Sequence, residues 1–288
     1  MKGFKKIAVI GKYPSIGTSK DIHNQLIQLV GHLGQKSIEL FIEEKTQKQI
    51  NLEGIQSIKL KDIGNNVDLA IIVGGDGTLI GVARNMVHSK TPLIGINQGR
   101  FGFLADLNTN SMFSKIDTIL NGEYVEDKRM LISTKIMRDN KSIYESLALN
   151  DIVIKSGDRL IELDVMINNA FVHSQRSDGI IVTTPTGTTA YALSAGGPIL
   201  HPNLDALTIV PISPHTLSNR PIAVNAQSQI AIKIINMNEA YASIDGQIKF
   251  PLDLRDVIEI RKAEESISII PPKDYCYFEM LRNKLNGG

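Results

Sequence analysis

"DLAIIVGGDGTLIGVARNMV", residues Asp68 to Val87, carries an apolar run into a turn of Gly74, Gly75, Asp76, Gly77 and Thr78, and then into a helical pattern of Leu79, Ala83, Met86 and Val87. Apolar strand, glycine turn and amphipathic helix in that order predict a parallel α/β sheet. In such sheets ligands bind at the carboxyl ends of strands, where this turn lies. Glycines at a strand-to-helix turn let backbone N–H groups approach a phosphate closely. Asp76 opposes that use, because a carboxylate in the cradle repels a phosphate. One reading removes the tension: the N–H groups of Gly75, Gly77 and Thr78 take phosphate while Asp76 orients a hydroxyl and receives its proton as it attacks phosphorus. The plainer reading is a structural turn with a carboxylate favourably placed near a helix N-terminus. No P-loop pattern occurs in the chain, and the glycine spacing misses the dinucleotide fingerprint by one residue.

Outward from this turn, the first ~125 residues alternate strand and helix patterns. "KKIAVIG", "SIELFI" and "TPLIGIN" read as buried strands. Ile22, Leu26, Leu29, Val30 and Leu33 share one helical face, with Thr18 or Ser19 to cap its start and Gly34 its end. Met112, Phe113, Ile116, Ile119 and Leu120 mark another helix, stopped by Asn121-Gly122. Past "GEYVEDKR" the texture becomes alternating: Ile161, Leu163, Val165 and Ile167 on one face, and later Ile230, Ile232 and Ile234. "DVIEIRK" and "SISIIPP" look similar, so a β-rich second domain is expected. The last segment reverts to helix, with Phe278, Leu281 and Leu285 at helical spacing, and is expected to pack back on the first domain. The resulting division is 1–127 (α/β domain), 128–270 (β-rich domain) and 271–288 (returning helix).

Composition narrows the function classes. The 288 residues are 42% hydrophobic and 21% charged, which suits a folded globular chain. Lys+Arg 31 against Asp+Glu 30 gives no bulk field to steer a nucleic acid. A single cysteine, Cys276, fits a reducing compartment and reads as a packing residue rather than a chemical one. No run approaches the ~18 apolar residues of a membrane span, and the N-terminal apolar run is too short for a signal peptide. The expectation is a cytoplasmic protein with no nucleic-acid or membrane partner. The six histidines show no metal-site spacing. Lys12 and Arg100 are candidate partners for phosphates, with solvated surface as the simpler reading.

A second polar cluster lies far from the turn, in "SQRSDGIIVTTPTGTTAYALSAGGPIL" from Ser174 to Leu200. Hydroxyls, free backbone groups and the ring of Tyr191 are what recognition of an adenine and a ribose requires. A hydroxyl-rich surface loop is the alternative. "LNDIV" places Asn150 and Asp151 inside an apolar strand, where buried polar groups need partners and a ligand is one possibility.

Taken together, "GGDGT" (74–78), "ND" (150–151), "SDGIIVTTPTGTTAYALSAGGPI" (177–199) and "IDGQ" (244–247) resemble the ATP-NAD kinase family, and its bacterial cytoplasmic members most closely. The likeness runs from Lys5 to about Leu285. It implies transfer of the ATP γ-phosphoryl group to the 2′-hydroxyl of the adenosine ribose of NAD. It also implies Mg²⁺ or another divalent cation accompanying ATP, a Rossmann-like N-terminal α/β domain with a parallel sheet, a C-terminal β-sandwich-like domain, and a homodimer or homotetramer. By the resemblance, Asp76 is the base or orienting carboxylate and Gly77 shares its NAD contact. Asn150 and Asp151 hold the adenosine portion, and Arg159, Arg176 and Asp178 lie near the dinucleotide. Thr189, Ala190, Tyr191, Ala192, Leu193 and Ser194 frame the adenine, and Gln247 contacts NAD. Position 151 is Asp where Glu is common, and position 188 is Thr where Ser is common. Two other readings of the glycine turn stay open at this point: a lipid or sugar kinase, and a non-catalytic NAD(P)-binding regulator. The retained Asp76 speaks against the second.

Overall fold

The computed structural model describes residues 3–12, 20–97, 102–104, 107–108, 111–157, 159–215, 219–271 and 273–285. It divides into two compact units, Met1–Lys128 with Ile267–Gly288, and Arg129–Ser266.

In the first unit the elements are β1 (Lys6–Gly11), α1 (Lys20–Gly34), β2 (Glu39–Glu43), α2 (Glu44–Ile50), β3 (Gln56–Ile58), α3 (Leu60–Asn66), β4 (Leu69–Val73), α4 (Asp76–Asn85), β5 (Leu93–Asn97), β6 (Leu107–Asn108) and α5 (Met112–Leu120). Strands pair in parallel in the order β5-β4-β1-β2-β3. The chain runs outward from β1 through β3 and then crosses to β4, so the order reverses between β1 and β4. A parallel sheet opens its ligand crevice at such a reversal, outside the carboxyl ends of the strands. The Gly74–Thr78 turn follows β4 at that end.

All five predicted face residues of α1 are buried, together with Ile7, Val9, Ile71 and Ile94 from the sheet. Each such side chain contributes about 1.5–3 kcal/mol by leaving water. The proposed caps Thr18 and Ser19, and Arg100, lie outside the described residues. The segment from α2 to α3 carries structure that the apolar pattern did not signal. There Glu43, itself buried, accepts from the N–H and the hydroxyl of Thr46, which in turn accepts from the Gly11 N–H at 2.9 Å.

The second unit is β-rich, with β7 (Asp127–Arg138), β8 (Lys141–Ala148), β9 (Asp151–Ser156), β10 (Ile161–Ile167), β11 (Ala170–Ser177) and β12 (Gly179–Thr183). A 3₁₀ turn (Thr186–Thr189) and α6 (Tyr191–Ser194) interrupt the strands. They resume as β13 (Ala206–Ile212), β14 (Ile222–Asn225), β15 (Ile230–Asn236), β16 (Ala240–Ile244), β17 (Ile248–Leu252) and β18 (Val257–Ile269), and α7 (Tyr277–Leu285) follows. Antiparallel pairing runs β11-β10-β15-β18 in one sheet and β14-β13-β12-β9-β16-β17 in the other. Ile161, Leu163 and Val165 of the first sheet and Ile152, Ile154, Ile180 and Val182 of the second share one core, which makes the unit a sandwich.

Three expectations are corrected. "DVIEIRK" and "SISIIPP" are not separate strands but one 13-residue strand, β18. Its last residues return to the first unit, where Ile269 pairs with Leu93. In α7 the buried residues are Tyr277 and Met280, three apart, while Phe278 and Leu285 are 67% and 52% exposed. The helix begins at Tyr277, so Phe278 and Leu285 of the apolar repeat chosen from sequence fall on its outer side while Leu281 is half-buried. Cys276 precedes that helix and is exposed, so it does not pack in the interior.

Gly179 in β12 tests the tightness of the sandwich. A Cβ there would lie 2.2 Å from the Ile154 carbonyl oxygen and 3.1 Å from the Lys155 Cα, both backbone atoms that no rotamer change can move. Gly179→Ala is expected to lower unfolding stability by about 1–3 kcal/mol, measured by urea denaturation. A loss within error would show that the two strands can part at that point.

Candidate functional site

The glycine turn divides its work differently from the sequence reading. Gly75 stands at the N-cap of α4, and the Thr78 N–H donates to the Gly75 carbonyl at 2.9 Å. That closes the first turn of the helix, so the Thr78 N–H does not face a phosphate, and this expectation is corrected. A Cβ on Gly74 would come within 2.7 Å of Thr78 Oγ1, whereas one on Gly75 would meet nothing within 4 Å. Gly74 is therefore required by packing, and Gly75 borders open space. Asp76 is partly buried, and its carboxylate accepts from the N–H groups of Phe103 at 2.7 Å and Leu104 at 3.1 Å. A carboxylate is planar with two oxygens, so these two donors fix its plane. The Phe103 ring in turn lies under the Lys284 ammonium of α7, at 5.2 Å. Lys12 is exposed at the end of β1, and its N–H reaches the Val73 carbonyl at 2.9 Å.

The second unit holds a cavity of about 280 Å³ on the outer face of its six-stranded sheet. Alternation along the strands builds it. Asp151, Val153 and Lys155 of β9 face the cavity, while Ile152 and Ile154 enter the shared core. Beside them Tyr241 and Ser243 of β16 face the same way, paired with Lys155 and Val153. Ala190 and Tyr191 form a wall, with the Lys155 ammonium 5.7 Å from the Tyr191 ring. On the other side Lys249 lies 4.8 Å from the ring of Tyr241. Each lysine thus sits over an aromatic face at the cavity rim.

Asn150 is not inside a strand, as sequence suggested, but at the corner between β8 and β9. Every backbone group of that corner is paired. The Asp245 carboxylate accepts from the N–H groups of Leu149, Asn150 and Asp151 at 3.1, 2.7 and 3.2 Å. The Leu149 carbonyl takes the Thr184 hydroxyl, the Asn150 carbonyl takes the Thr183 hydroxyl and the Thr184 N–H, and the Asp151 carbonyl takes the Asp245 N–H. The three N–H donors of the corner are therefore fully engaged within the protein. Asn150 Oδ1 is buried without a partner among the described residues. Burial, and then the nearby charge of Asp245, push the Asp151 carboxyl up to about 7.

The hydroxyl-rich block is not a surface loop. Thr183, Thr184, Thr186 and Thr188 are buried, and Thr188 Oγ1 holds the Leu200 N–H at 3.1 Å. Ala192 turns into the sheet against Val153, Ile181 and Val210 rather than toward the cavity. Thr189 and Leu193 are half-buried, Ser194 is exposed, and Thr189 Oγ1 caps the Thr186 carbonyl. Arg159, Arg176, Asp178 and Gln247 are exposed and do not line the cavity. Arg176 faces Glu162 at 3.9 Å. Sequence reasoning missed Lys155, Tyr241, Ser243, Asp245 and Lys249 as cavity residues. The available signal was strand alternation from Asp151, and the Asp-Gly dipeptide of a hairpin turn. Among the described residues no group of three or more His, Cys, Asp or Glu side chains could hold a metal ion. No helix among them is long and apolar enough to cross a membrane.

Comparison with known proteins decides the family. The ATP-NAD kinase N-terminal domain matches residues 23–124, and the ATP-NAD kinase C-terminal domain matches residues 149–272. The chain belongs to the ATP-NAD kinase family. It is 42% identical over 284 residues to an NAD kinase of Nitrosomonas eutropha, covering 98% of this chain and 95% of that one. An NAD kinase of Laribacter hongkongensis is 41% identical over 287 residues, covering 99% and 97%. Among solved structures, yeast NADH kinase complexed with NADH matches with a TM-score of 0.88 at 23% identity, over 99% of this chain and 88% of that one. An NAD kinase from Archaeoglobus fulgidus in complex with ATP matches with a TM-score of 0.76 at 23% identity, over 98% and 99%. These structures share the fold: a parallel-sheet α/β unit and an antiparallel β-rich unit.

The raised carboxyl of Asp151 ties stability to pH. Between pH 3.8 and about 7 the native chain keeps a proton there that the unfolded chain has released, so its contribution to stability falls as pH rises through this window. Asp151→Asn removes that linkage. The variant is expected to gain on the parent between pH 5 and pH 8 by roughly 2–4 kcal/mol, read from urea unfolding at several pH values. A difference that does not change with pH would mean that Asp151 titrates in the ordinary carboxylate range.

Proposed function

We propose that the chain transfers the γ-phosphoryl group of ATP to the 2′-hydroxyl of the adenosine ribose of NAD, giving NADP and ADP, with Asp76 as the group that orients the hydroxyl and receives its proton. The chain is an ATP-dependent NAD kinase, a phosphotransferase with an alcohol acceptor. The observation that carries the residue assignment is the anchoring of Asp76. Two backbone N–H groups hold its carboxylate at the ligand-binding end of a parallel sheet. Phosphoryl transfer is chiefly positioning and charge stabilisation, so a fixed acceptor for the attacking hydroxyl suits it.

In this reading the bond from the ribose oxygen to the γ-phosphorus forms as the bond to the β–γ bridging oxygen breaks. The proton of the hydroxyl passes to Asp76. Backbone N–H groups of Gly75 and Gly77 face phosphate, and Gly74 shapes the turn through its contact with Thr78. The cavity of the second unit holds the nucleoside: Asn150 and Asp151 on its floor, Ala190 and Tyr191 on its wall. Thr189, Leu193 and Ser194 support that wall, while Arg159, Arg176, Asp178 and Gln247 offer exposed polar groups for the rest of the dinucleotide. A Mg²⁺ accompanying ATP would be held through the substrate phosphates and one or two carboxylates. When bound, the cation would supply charge neutralisation on the triphosphate. NADH and ATP in the names of the two structural neighbours support nucleotides as ligands here. We place the enzyme in the cytoplasm as a homodimer or homotetramer.

Two measurements test the assignment. Asp76→Asn is expected to lower turnover on the order of 10²-fold or more while NAD still binds; near-normal turnover in a coupled NADP assay would remove Asp76 from the chemistry. An NAD analogue with 2′-deoxyadenosine is expected to bind with a loss of about 1 kcal/mol and to remain unphosphorylated. A phosphorylated product by mass spectrometry would move the reaction to another hydroxyl.

A further inference from the structure

The cavity floor stands on a residue that does not belong to its own segment. Asp245 lies in the turn between β16 and β17, with φ +50°, followed by Gly246 at φ +65°. The Gln247 N–H closes that turn on the Ile244 carbonyl at 2.9 Å. Positive φ at both central residues is the hairpin geometry that Asp-Gly favours. The turn itself needs only the backbone. The carboxylate is left to do something else, and it gathers three consecutive N–H groups, those of Leu149, Asn150 and Asp151. Three convergent N–H groups form an anion-binding concavity, which this side chain fills.

We propose that Asp245 is the positioning residue of the nucleoside site, holding the Leu149–Asp151 corner so that Asn150 and Asp151 turn their side chains to the cavity. The inference rests on the reading of this cavity as the NAD site. Without the carboxylate, three N–H groups would face ligand or water, and the free Asn150 Oδ1 would lose its fixed direction. Asp245 also bears on Asp151 through its charge. Of the groups that line the cavity, Lys155 and Lys249 face their tyrosines at the rim, so Asp245 is the charged neighbour that adds to burial in keeping a proton on Asp151. A protonated Asp151 is a hydrogen-bond donor beside the acceptor Asn150 Oδ1, and a nucleoside needs both.

The test compares Asp245→Asn and Asp245→Ala with Asn150→Ala and Asp151→Ala, using NAD affinity by calorimetry and kcat and KM between pH 5.5 and 9. Asn tolerates the left-handed backbone and keeps one acceptor oxygen, so Asp245→Asn preserves the turn. Asp245→Ala is expected to weaken NAD binding about tenfold or more, and Asp245→Asn less. In both, the loss should fall on the KM for NAD more than on the KM for ATP, and the midpoint of the pH dependence of NAD affinity should move to lower pH. A loss of packing alone would not move that midpoint. Parental NAD affinity and midpoint in Asp245→Asn and Asp245→Ala, alongside weakened binding in the two floor variants, would overturn the inference while leaving the site in place. A collapse of kcat with NAD affinity intact would also overturn it. Parental affinity in Asn150→Ala and Asp151→Ala would remove the site reading itself.

Discussion

Buried backbone groups must find partners, and the Leu149–Asp151 corner is where this chain meets that demand outside any ladder. The turn from β8 to β9 leaves three N–H groups and three carbonyls, those of Leu149, Asn150 and Asp151, to find partners in other segments. Asp245 takes the first set, and Thr183, Thr184 and the Asp245 N–H satisfy the second. An unmade bond in such a place costs about 1–3 kcal/mol, so the corner holds only while its distant partners are present. This explains the composition of the block after β12. Its first threonines are buried because their hydroxyls complete someone else's backbone. Gly187 is a glycine because a Cβ would lie 2.3 Å from the Asn150 carbonyl oxygen.

The same strands serve core and site without compromise because their period is two. In β9, Ile152 and Ile154 fill the sandwich, and Asp151, Val153 and Lys155 line the cavity between them. A one-residue slip would exchange the two sets and send a carboxylate and an ammonium into the hydrocarbon interior. Register in this sheet is therefore fixed by both faces. The two Lys-over-Tyr contacts extend the effect to the rim, since each ammonium covers an aromatic surface while keeping its charge at the opening.

Legibility followed the range of the interactions. Local signals sufficed for β1, α1, β4, α4 and the alternating strands, where continuous burial or a helical repeat is written into neighbouring residues. They failed for α2, β3 and α3, which are short, largely polar and partly exposed. In α7 two apolar repeats compete within nine residues, and the helix start at Tyr277 decides between them. Motif resemblance pointed to Asn150, Asp151 and Tyr191 as residues of interest. It could not supply Asp245 as their support, because the bonds that make it one span 94 to 96 residues of chain. Lys155 and Tyr241 were readable in principle from alternation, but only once the neighbouring strand was known.

The carboxylate in the glycine turn has the same kind of explanation. From sequence it was an anion out of place in a phosphate cradle. In the fold it is the acceptor for two N–H groups of a segment 27 and 28 residues away. Those donors are backbone, so the contact places no demand on the side chains of Phe103 and Leu104. Phe103 is bound separately, through its ring and Lys284, and Leu104 is buried. The acidic residue is thus aimed by two independently anchored N–H groups. A freely rotating carboxylate at a helix N-terminus would have to be ordered in each turnover, at the expense of rate. Here two backbone N–H groups supply that ordering. The turn needs Asp76 for its own architecture, because its carboxylate ties the glycine turn to the backbone at Phe103 and Leu104.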